Sequence, residues 1–164
     1  MAAISTTITL SKDNILYDIE NTAYVVGLNR STGVNFEQVS NIQNTGEGGD
    51  RDMVLRSIET AFNEIKRNVN RFIDDTALTA SSTNDPTDGT TAFSLTLTMP
   101  GNFNKASVDS IKSASHEYIV AHALIDWFTA VKPDEVPIYI QKKADAGVNI
   151  LSALYRKKAP ARPA

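Results

Sequence analysis

The sequence predicts a mainly α-helical fold, a four-helix bundle-like arrangement with a short N-terminal strand and an inserted β-hairpin. Four segments carry apolar residues at helical spacing. A strictly alternating segment lies between the second and third of these helices and predicts a strand. The chain has 164 residues, 41% of them apolar and 21% charged, which suits one globular core.

The N-terminal part is predicted to hold a strand, a helix and a polar loop. Residues 4, 6, 8 and 10 (Ile, Thr, Ile and Leu) alternate with polar or small residues, as in a short strand. Ser11 suits an N-cap, and a helix is expected from Lys12 to about Leu28. The apolar stripe of this helix consists of Ile15, Leu16, Ile19, Ala23 and Val26. Residues 29–49 are rich in Asn, Ser, Thr, Gly and Gln and show no periodicity. A loop of this length is either disordered or ordered by a partner.

The second helix is expected from Asp50 to about Asp74. Its apolar residues repeat at spacings of four and three, a narrow seam typical of coiled coils. The members of this seam are Ile58, Phe62, Ile65, Val69 and Phe72.

The hairpin is placed at about residues 76–99. Its first part is rich in Thr and contains a dense turn signal at residues 83–89. Phe93, Leu95 and Leu97 then alternate with Ser and Thr. Because an isolated hairpin is marginal in water, it must pack on a helix, pair with the N-terminal strand or pair with another subunit.

The third helix is expected to start at Asn104 or Ser107 and to run to Val131, since Pro133 ends it. Asp134 or Glu135 leads the fourth helix. Its predicted core stripe consists of Val136, Ile140, Ala144, Val148, Leu151 and Tyr155. Residues 156–158 (Arg, Lys and Lys) are expected in its last turn, where cations favour the helix C-terminus. We therefore assign residues 1–158 to one helical domain with the hairpin insertion, and residues 159–164 to an extended, basic and Pro-rich tail.

The sequence offers little for catalysis. Without cysteine the chain has no disulfide, thiolate zinc site or cysteine nucleophile. His116 and His122 are six residues apart and point away from each other on a helix, so they do not ligate one metal together. Tyr118, His122 and Asp126 share a face, but a packed histidine hydrogen-bonded to Asp126 is the favoured interpretation over a catalytic one. We expect no enzyme activity, metal or cofactor.

The ends of the chain and its longest apolar stretch bear on location. The N-terminus has neither a basic region nor an apolar core, so we expect no signal peptide. Residues 119–128 form the longest strongly apolar stretch, far short of the ~20 residues that span a membrane. We therefore expect a chain without membrane contact.

Charge is distributed unevenly. The last nine residues hold four of the 16 basic side chains and none of the 19 acidic ones. The remaining body is therefore acidic, with 12 bases against the 19 acids. The basic end suits either an acidic partner or a solubilising terminus, and the acidic body does not favour a grip on DNA.

The third helix is apolar on nearly all sides between Ile119 and Phe128. A helix of this kind must be covered by several neighbours, within the chain or in another subunit. Trp127 is therefore either an interface residue or a core residue. The candidate subunit interface comprises Trp127, Phe128, Phe93, Leu95 and Leu97.

The order of these features resembles that of a known family. A long helix ends in Arg71-Phe72-Ile73, a Thr-rich hairpin closes with residues 97–103, and two helices and a Pro-rich end follow. This order resembles the head–tail connector (adaptor) proteins of tailed bacteriophages. The ending at residues 159–163 is similar to phage proteins of gut Bacteroidetes, such as the crAss-like group. The resemblance covers about residues 50–160 and is architectural, while the N-terminal strand, the 29–49 loop and the longer hairpin depart from it.

The resemblance implies a structural virion protein that joins capsid to tail. Copies would form a ring, a dodecamer, below the portal protein, in contact with neighbouring neck and tail proteins. DNA would pass the channel without specific binding. The ring would be assembled in the bacterial host cytoplasm and remain in the neck of the virion. The residues expected to dock on the portal are Arg156, Lys157, Lys158, Pro160, Arg162 and Pro163.

Two other interpretations remain open at this point. One is another phage neck, tail-completion or head-completion protein. The other belongs to a different class, a cytosolic helical module that binds a protein partner through the basic end.

Overall fold

The computed structural model describes residues 2–29, 35–46, 48–74 and 91–159. Its strands and α-helices are β1 (Ile4–Ser11), α1 (Lys12–Asn29), α2 (Phe36–Gln43), α3 (Gly48–Asn68), β2 (Ala92–Met99), α4 (Val108–Val131) and α5 (Val136–Leu154). Short 3-10 turns lie at Asn70–Phe72, Lys105–Ser107 and Pro133–Glu135. The predicted mainly α fold with antiparallel β structure is confirmed.

The two strands form an antiparallel sheet although 80 residues separate them in the sequence. Ile4 lies opposite Met99, and the register continues without interruption to the pair of Ser11 and Ala92. Leu95 and Leu97 of β2 are buried, as their alternation with Ser and Thr predicts. The N-terminal strand, one of the three partners considered for this strand, is therefore its pairing partner in the structure.

The other edge of β2 also has a partner. Ile73 forms an antiparallel bridge with Leu97, and the Asp74 N–H donates to the Thr96 carbonyl oxygen at 3.1 Å. Residues 75–90 hold the predicted first arm and turn of the hairpin and lie outside the described residues.

Most helix boundaries agree with the sequence. The first helix begins at Lys12 and the third ends at Val131, as predicted. The second helix is shorter than predicted, because α3 ends at Asn68 and the chain passes through a 3-10 turn toward β2. The pairing of Ile73 with Leu97 explains this early end, since a residue cannot belong to a helix and to a sheet edge together.

A fifth helix lies inside the segment predicted to be a polar loop. Val39 and Ile42, three residues apart in α2, are both buried. The Gln43 side-chain amide donates to the Tyr24 carbonyl oxygen of α1 at 3.1 Å. A Cβ at Gly27 would lie 2.5 Å from Gln43 Cγ, so the glycine permits this close approach. Residues 36–43 are thus ordered by the chain's own fold.

The core has α4 at its centre. This helix packs against α1, α2, α3, α5 and β1, which accounts for its apolar character on nearly all sides. The buried side chains form one cluster with members from both strands and all five helices. Ile15, Ile58, Leu97, Ile119 and Phe128 are completely buried in it.

Candidate interaction surfaces

The basic end of the chain is tied to the fold by its backbone. The Asn104 N–H donates to the Arg156 carbonyl at 3.0 Å, and the Lys158 N–H donates to the Asn102 carbonyl at 2.9 Å. Between them, Lys157 is bridged to Phe103, whose ring is buried. The three basic side chains themselves are exposed. Residues 156–158 therefore carry three exposed cations on a fixed backbone.

This arrangement corrects one prediction. Arg156, Lys157 and Lys158 were expected in the last turn of the fourth helix, but α5 ends at Leu154. The Arg156 carbonyl and the Lys158 N–H form hydrogen bonds with residues 104 and 102 instead of helical hydrogen bonds. Pro160 also disfavours a helical conformation at Ala159. The other predicted docking residues, Pro160, Arg162 and Pro163, lie outside the described residues.

Trp127 and Phe128 lie in the chain's own core instead of on a subunit surface. Trp127 Nε1 donates to the Ile42 carbonyl at 2.9 Å. The ring of Phe128 stacks on that of Tyr139 at a centroid distance of 5.2 Å. Both side chains are buried because five elements surround α4. Of the two roles considered for Trp127, the packing within the chain favours the core role.

The predicted interface residues of β2 also make contacts within the chain. Leu95 and Leu97 are buried beneath the sheet. Phe93 is half-buried and its ring stacks on Phe62 of α3, with the centroids 4.7 Å apart. The apolar side of the strand thus packs within the chain, since Phe93 contacts α3 and both leucines belong to the core.

The fourth predicted helix buries a different face from the one predicted. Ile140, Val148, Leu151 and Tyr155 are 42–64% exposed and form an apolar stripe that we call the α5 face. The helix instead packs on α4 through residues that include Tyr139, Ala146, Ile150, Ala153 and Leu154. Gly147 lies beside the Tyr118 ring of α4, where a Cβ would make an ordinary van der Waals contact at 3.5 Å. Sequence reasoning thus found the stripe but assigned it to the core.

A second exposed stripe lies on α1 and was missed in the sequence. Tyr17, Tyr24 and Leu28 are 50–66% exposed, and we call them the α1 face. They lie on the side of the helix opposite Ile15, Ile19 and Ala23, which are completely buried. The signal was present in the sequence, because the spacings of seven and four residues place all three side chains on one face.

A polar cluster links α3, α4 and α5. Glu64 accepts from Tyr118 Oη and from Lys143 Nζ, each at 2.8 Å. Lys143 Nζ also lies 2.8 Å from His122 Nδ1. Asp126 accepts a hydrogen bond from Ser57. His122 Nε2 is 3.8 Å from Asp126, so the hydrogen bond predicted between these two residues is absent.

The environment of the polar cluster sets its ionisation. Burial and the neighbouring Lys143 lower the pKa of His122. Asp126 and Glu64 act in the opposite direction, but their effect is smaller. Burial alone would raise the pKa of Glu64, but hydrogen bonds from Lys143 and Tyr118 bring it below its ordinary value. Burial and the bond to Glu64 raise the pKa of Tyr118 to about 12. A neutral imidazole therefore accepts from Lys143, and the cluster connects three helices through matched charges.

Two further properties concern metals and membranes. Across residues 2–29, 35–46, 48–74 and 91–159, no three His, Asp or Glu side chains converge as a metal site would require. Within the same ranges, no helix combines the length and apolar composition needed to cross a membrane.

Comparison with known proteins gives no match. Neither a protein-family model nor a curated protein nor a solved structure is significantly similar to this chain.

Proposed function

We propose that the chain is a structural subunit of a bacteriophage head–tail connector, which docks on the portal and joins the capsid to the tail. The observation that carries the proposal is the α5 face, a long exposed apolar stripe that leads directly into the basic end. Burying such a stripe against a partner is favourable by about 25 cal/mol per Å² of apolar surface. An assembly subunit has that partner, whereas an isolated chain leaves the stripe in water.

The basic end supplies the proposed docking element. Residues 156–158 are held by backbone hydrogen bonds to residues 102 and 104, while their side chains remain exposed. Because this backbone is already fixed, binding a partner costs the conformational entropy of the side chains but not that of the backbone. An acidic surface on the portal is the chemistry that these three cations fit.

The rest of the proposed assembly follows from the resemblance and from charge. Copies form a ring, and neighbouring neck and tail proteins continue it. The acidic body of the chain surrounds the DNA channel without specific DNA binding, since acidic surfaces repel phosphates. This role needs no catalytic residue and no cofactor, and its place is the neck of the virion.

Two alternatives use the same surfaces. A tail-completion or head-completion protein would assemble with other neck components and not with the portal. A cytosolic binding module of a different class would lay the α5 face in the groove of a partner protein, as amphipathic helices do.

The test is co-purification with a candidate portal, followed by negative-stain imaging of the mixture. We expect rings attached to the portal. Reversal of the three cations, R156E/K157E/K158E, should abolish attachment and keep the thermal melt. Lys112→Glu, an exposed charge reversal on α4, is the matched control and should bind normally. Failure of the wild-type chain to bind portal, or equal binding by both variants, would contradict the proposal.

A further inference from the structure

Two apolar faces of the described structure have similar shape and lie on separate helices. The α5 face runs from Ile140 to Tyr155, about 22 Å at 1.5 Å per residue. The α1 face runs from Tyr17 to Leu28, about 16 Å on the same measure. Ala144, also exposed, fills the gap in the α5 face, so its spacings become four, four, three and four. Stripes with such spacings pack side by side at a shallow crossing angle.

The charges at the start of the α1 face and at the end of the α5 face are opposite. Asp13 and Glu20 each lie one turn before a tyrosine of the α1 face and therefore flank it. Lys12, the only basic residue of α1, is buried and pairs with Glu59 at 3.6 Å. Within α1 itself, the solvent-accessible charges beside the α1 face are therefore acidic.

The α5 face ends in cations. Tyr155, its last member, is held against Phe72 with the ring centroids 5.4 Å apart. Arg156, Lys157 and Lys158 follow at once with exposed side chains and a fixed backbone. The acidic start of α1 is thus complementary to the basic end of α5.

We infer that the α5 face of one copy packs on the α1 face of a second copy, with the two helices antiparallel and the basic end beside Asp13. Pairing α5 with α5 would leave the α1 face and its acids uncovered, whereas this contact buries both faces. The contact joins two different surfaces, so each copy of a pair retains one free face that can bind a further copy. Repetition of the contact produces a closed ring or an open filament. As a contact between ring subunits, this pairing of α5 with α1 rests on the proposed function, but its test needs no portal.

The experiment measures self-association of the full chain by sedimentation equilibrium from about 10 µM to about 1 mM, the upper end of weak specific affinities. We expect the wild-type mass to rise with concentration. Val148→Glu on the α5 face and Tyr24→Glu on the α1 face should each stay monomeric. Asn149→Glu places the same charge one residue away, outside the α5 face, and should associate like the wild type. Circular dichroism checks that every variant is folded.

Mixing the variants identifies the kind of contact. The Val148→Glu chain retains an intact α1 face and the Tyr24→Glu chain an intact α5 face. A mixture of the two should therefore form dimers that do not grow further. A wild-type chain that remains monomeric, a Tyr24→Glu chain that associates alone or a mixture that stays monomeric would overturn the inference. Self-association without portal binding would instead leave this contact intact and refute the connector role.

The orientation has its own test. Asp13→Arg and Arg156→Glu should each weaken association about twofold to fivefold, and the double variant should recover it. Absence of recovery would overturn the antiparallel alignment.

Discussion

Trp127 Nε1 donates a hydrogen bond of 2.9 Å to the backbone carbonyl of Ile42. Both residues are buried, and the bond joins the central helix α4 to the short helix α2. A buried carbonyl without a partner is costly, so this single indole both fills the core and satisfies the backbone of α2. It explains why residues 36–43 hold a helix in a segment whose composition predicts a loop.

The first prediction concerns this residue. Trp127→Ala should lower the free energy of unfolding by about 3–5 kcal/mol, because it removes a large core side chain. Trp127→Phe keeps most of the packing but leaves the Ile42 carbonyl without its donor, and should cost about 1–3 kcal/mol. Denaturant unfolding followed by circular dichroism measures both values.

Tyr17→Ala is the control for the loss of a large aromatic side chain. Tyr17 is 66% exposed, so its removal should change stability by no more than about 0.5 kcal/mol. Unchanged stability in Trp127→Ala together with lost assembly would place Trp127 at a subunit interface instead.

The second prediction separates the two parts of the basic end. A chain shortened after Lys158 keeps both backbone hydrogen bonds to residues 102 and 104, so it should melt like the full chain. A chain shortened after Tyr155 loses those bonds and should be less stable by about 1–3 kcal/mol. Thermal unfolding of the two truncated chains provides the comparison.

Portal binding by the same two chains tests the docking role. We expect the chain ending at Lys158 to keep part of the affinity, since three exposed cations remain. Equal melting of both truncated chains would show that the pairing of residues 156–158 contributes nothing to stability.

The third prediction is a loss of stability in two steps as pH falls. The pKa of His122 is held below its ordinary value of 6.5 in the folded chain. The unfolded chain therefore takes up this proton first, and stability falls as the pH drops below about 6.5. The pKa of Glu64 is likewise held below 4.5, so a further loss begins near that pH. Each unit of difference between folded and unfolded pKa corresponds to about 1.4 kcal/mol.

Stability curves of two variants assign these steps. His122→Gln should remove the first loss and keep the second, whereas Glu64→Gln should remove the second. The free energy of unfolding at intervals between pH 8 and pH 3 gives the curves. A first step that persists in His122→Gln would assign it to another group.

The sequence predicts helices best where one apolar stripe has one possible partner. In α1, Ile15, Ile19 and Ala23 were placed on the core side, and the structure buries all three completely. The strand at residues 92–99 was equally clear, because alternation leaves only one face apolar. The helix α2 was missed since its two buried residues, Val39 and Ile42, are too few to show a period against a polar background.

The candidate surfaces were harder to predict because α5 is apolar on two sides. One side carries Val148 and Leu151, and the other combines Ile150 and Leu154 with the small residue Ala146. Periodicity alone does not decide between two apolar sides. Packing on α4 selects the second side, since the small side chain lets the two helices approach while the large ones fill the contact. Only the tertiary structure shows which side remains exposed.

The last prediction compares neighbouring residues on these two sides of α5. Ile150 is 3% exposed and Val148 is 64% exposed. Ile150→Ala should destabilise the chain by about 2–5 kcal/mol, because it leaves a cavity beside α4. Val148→Ala should change the free energy of unfolding by no more than about 0.5 kcal/mol in a dilute monomer. Chemical denaturation at low concentration measures both, and Val148→Ala at high concentration should also weaken self-association. The opposite ranking would return Val148 to the core and remove the α5 face as an interaction surface.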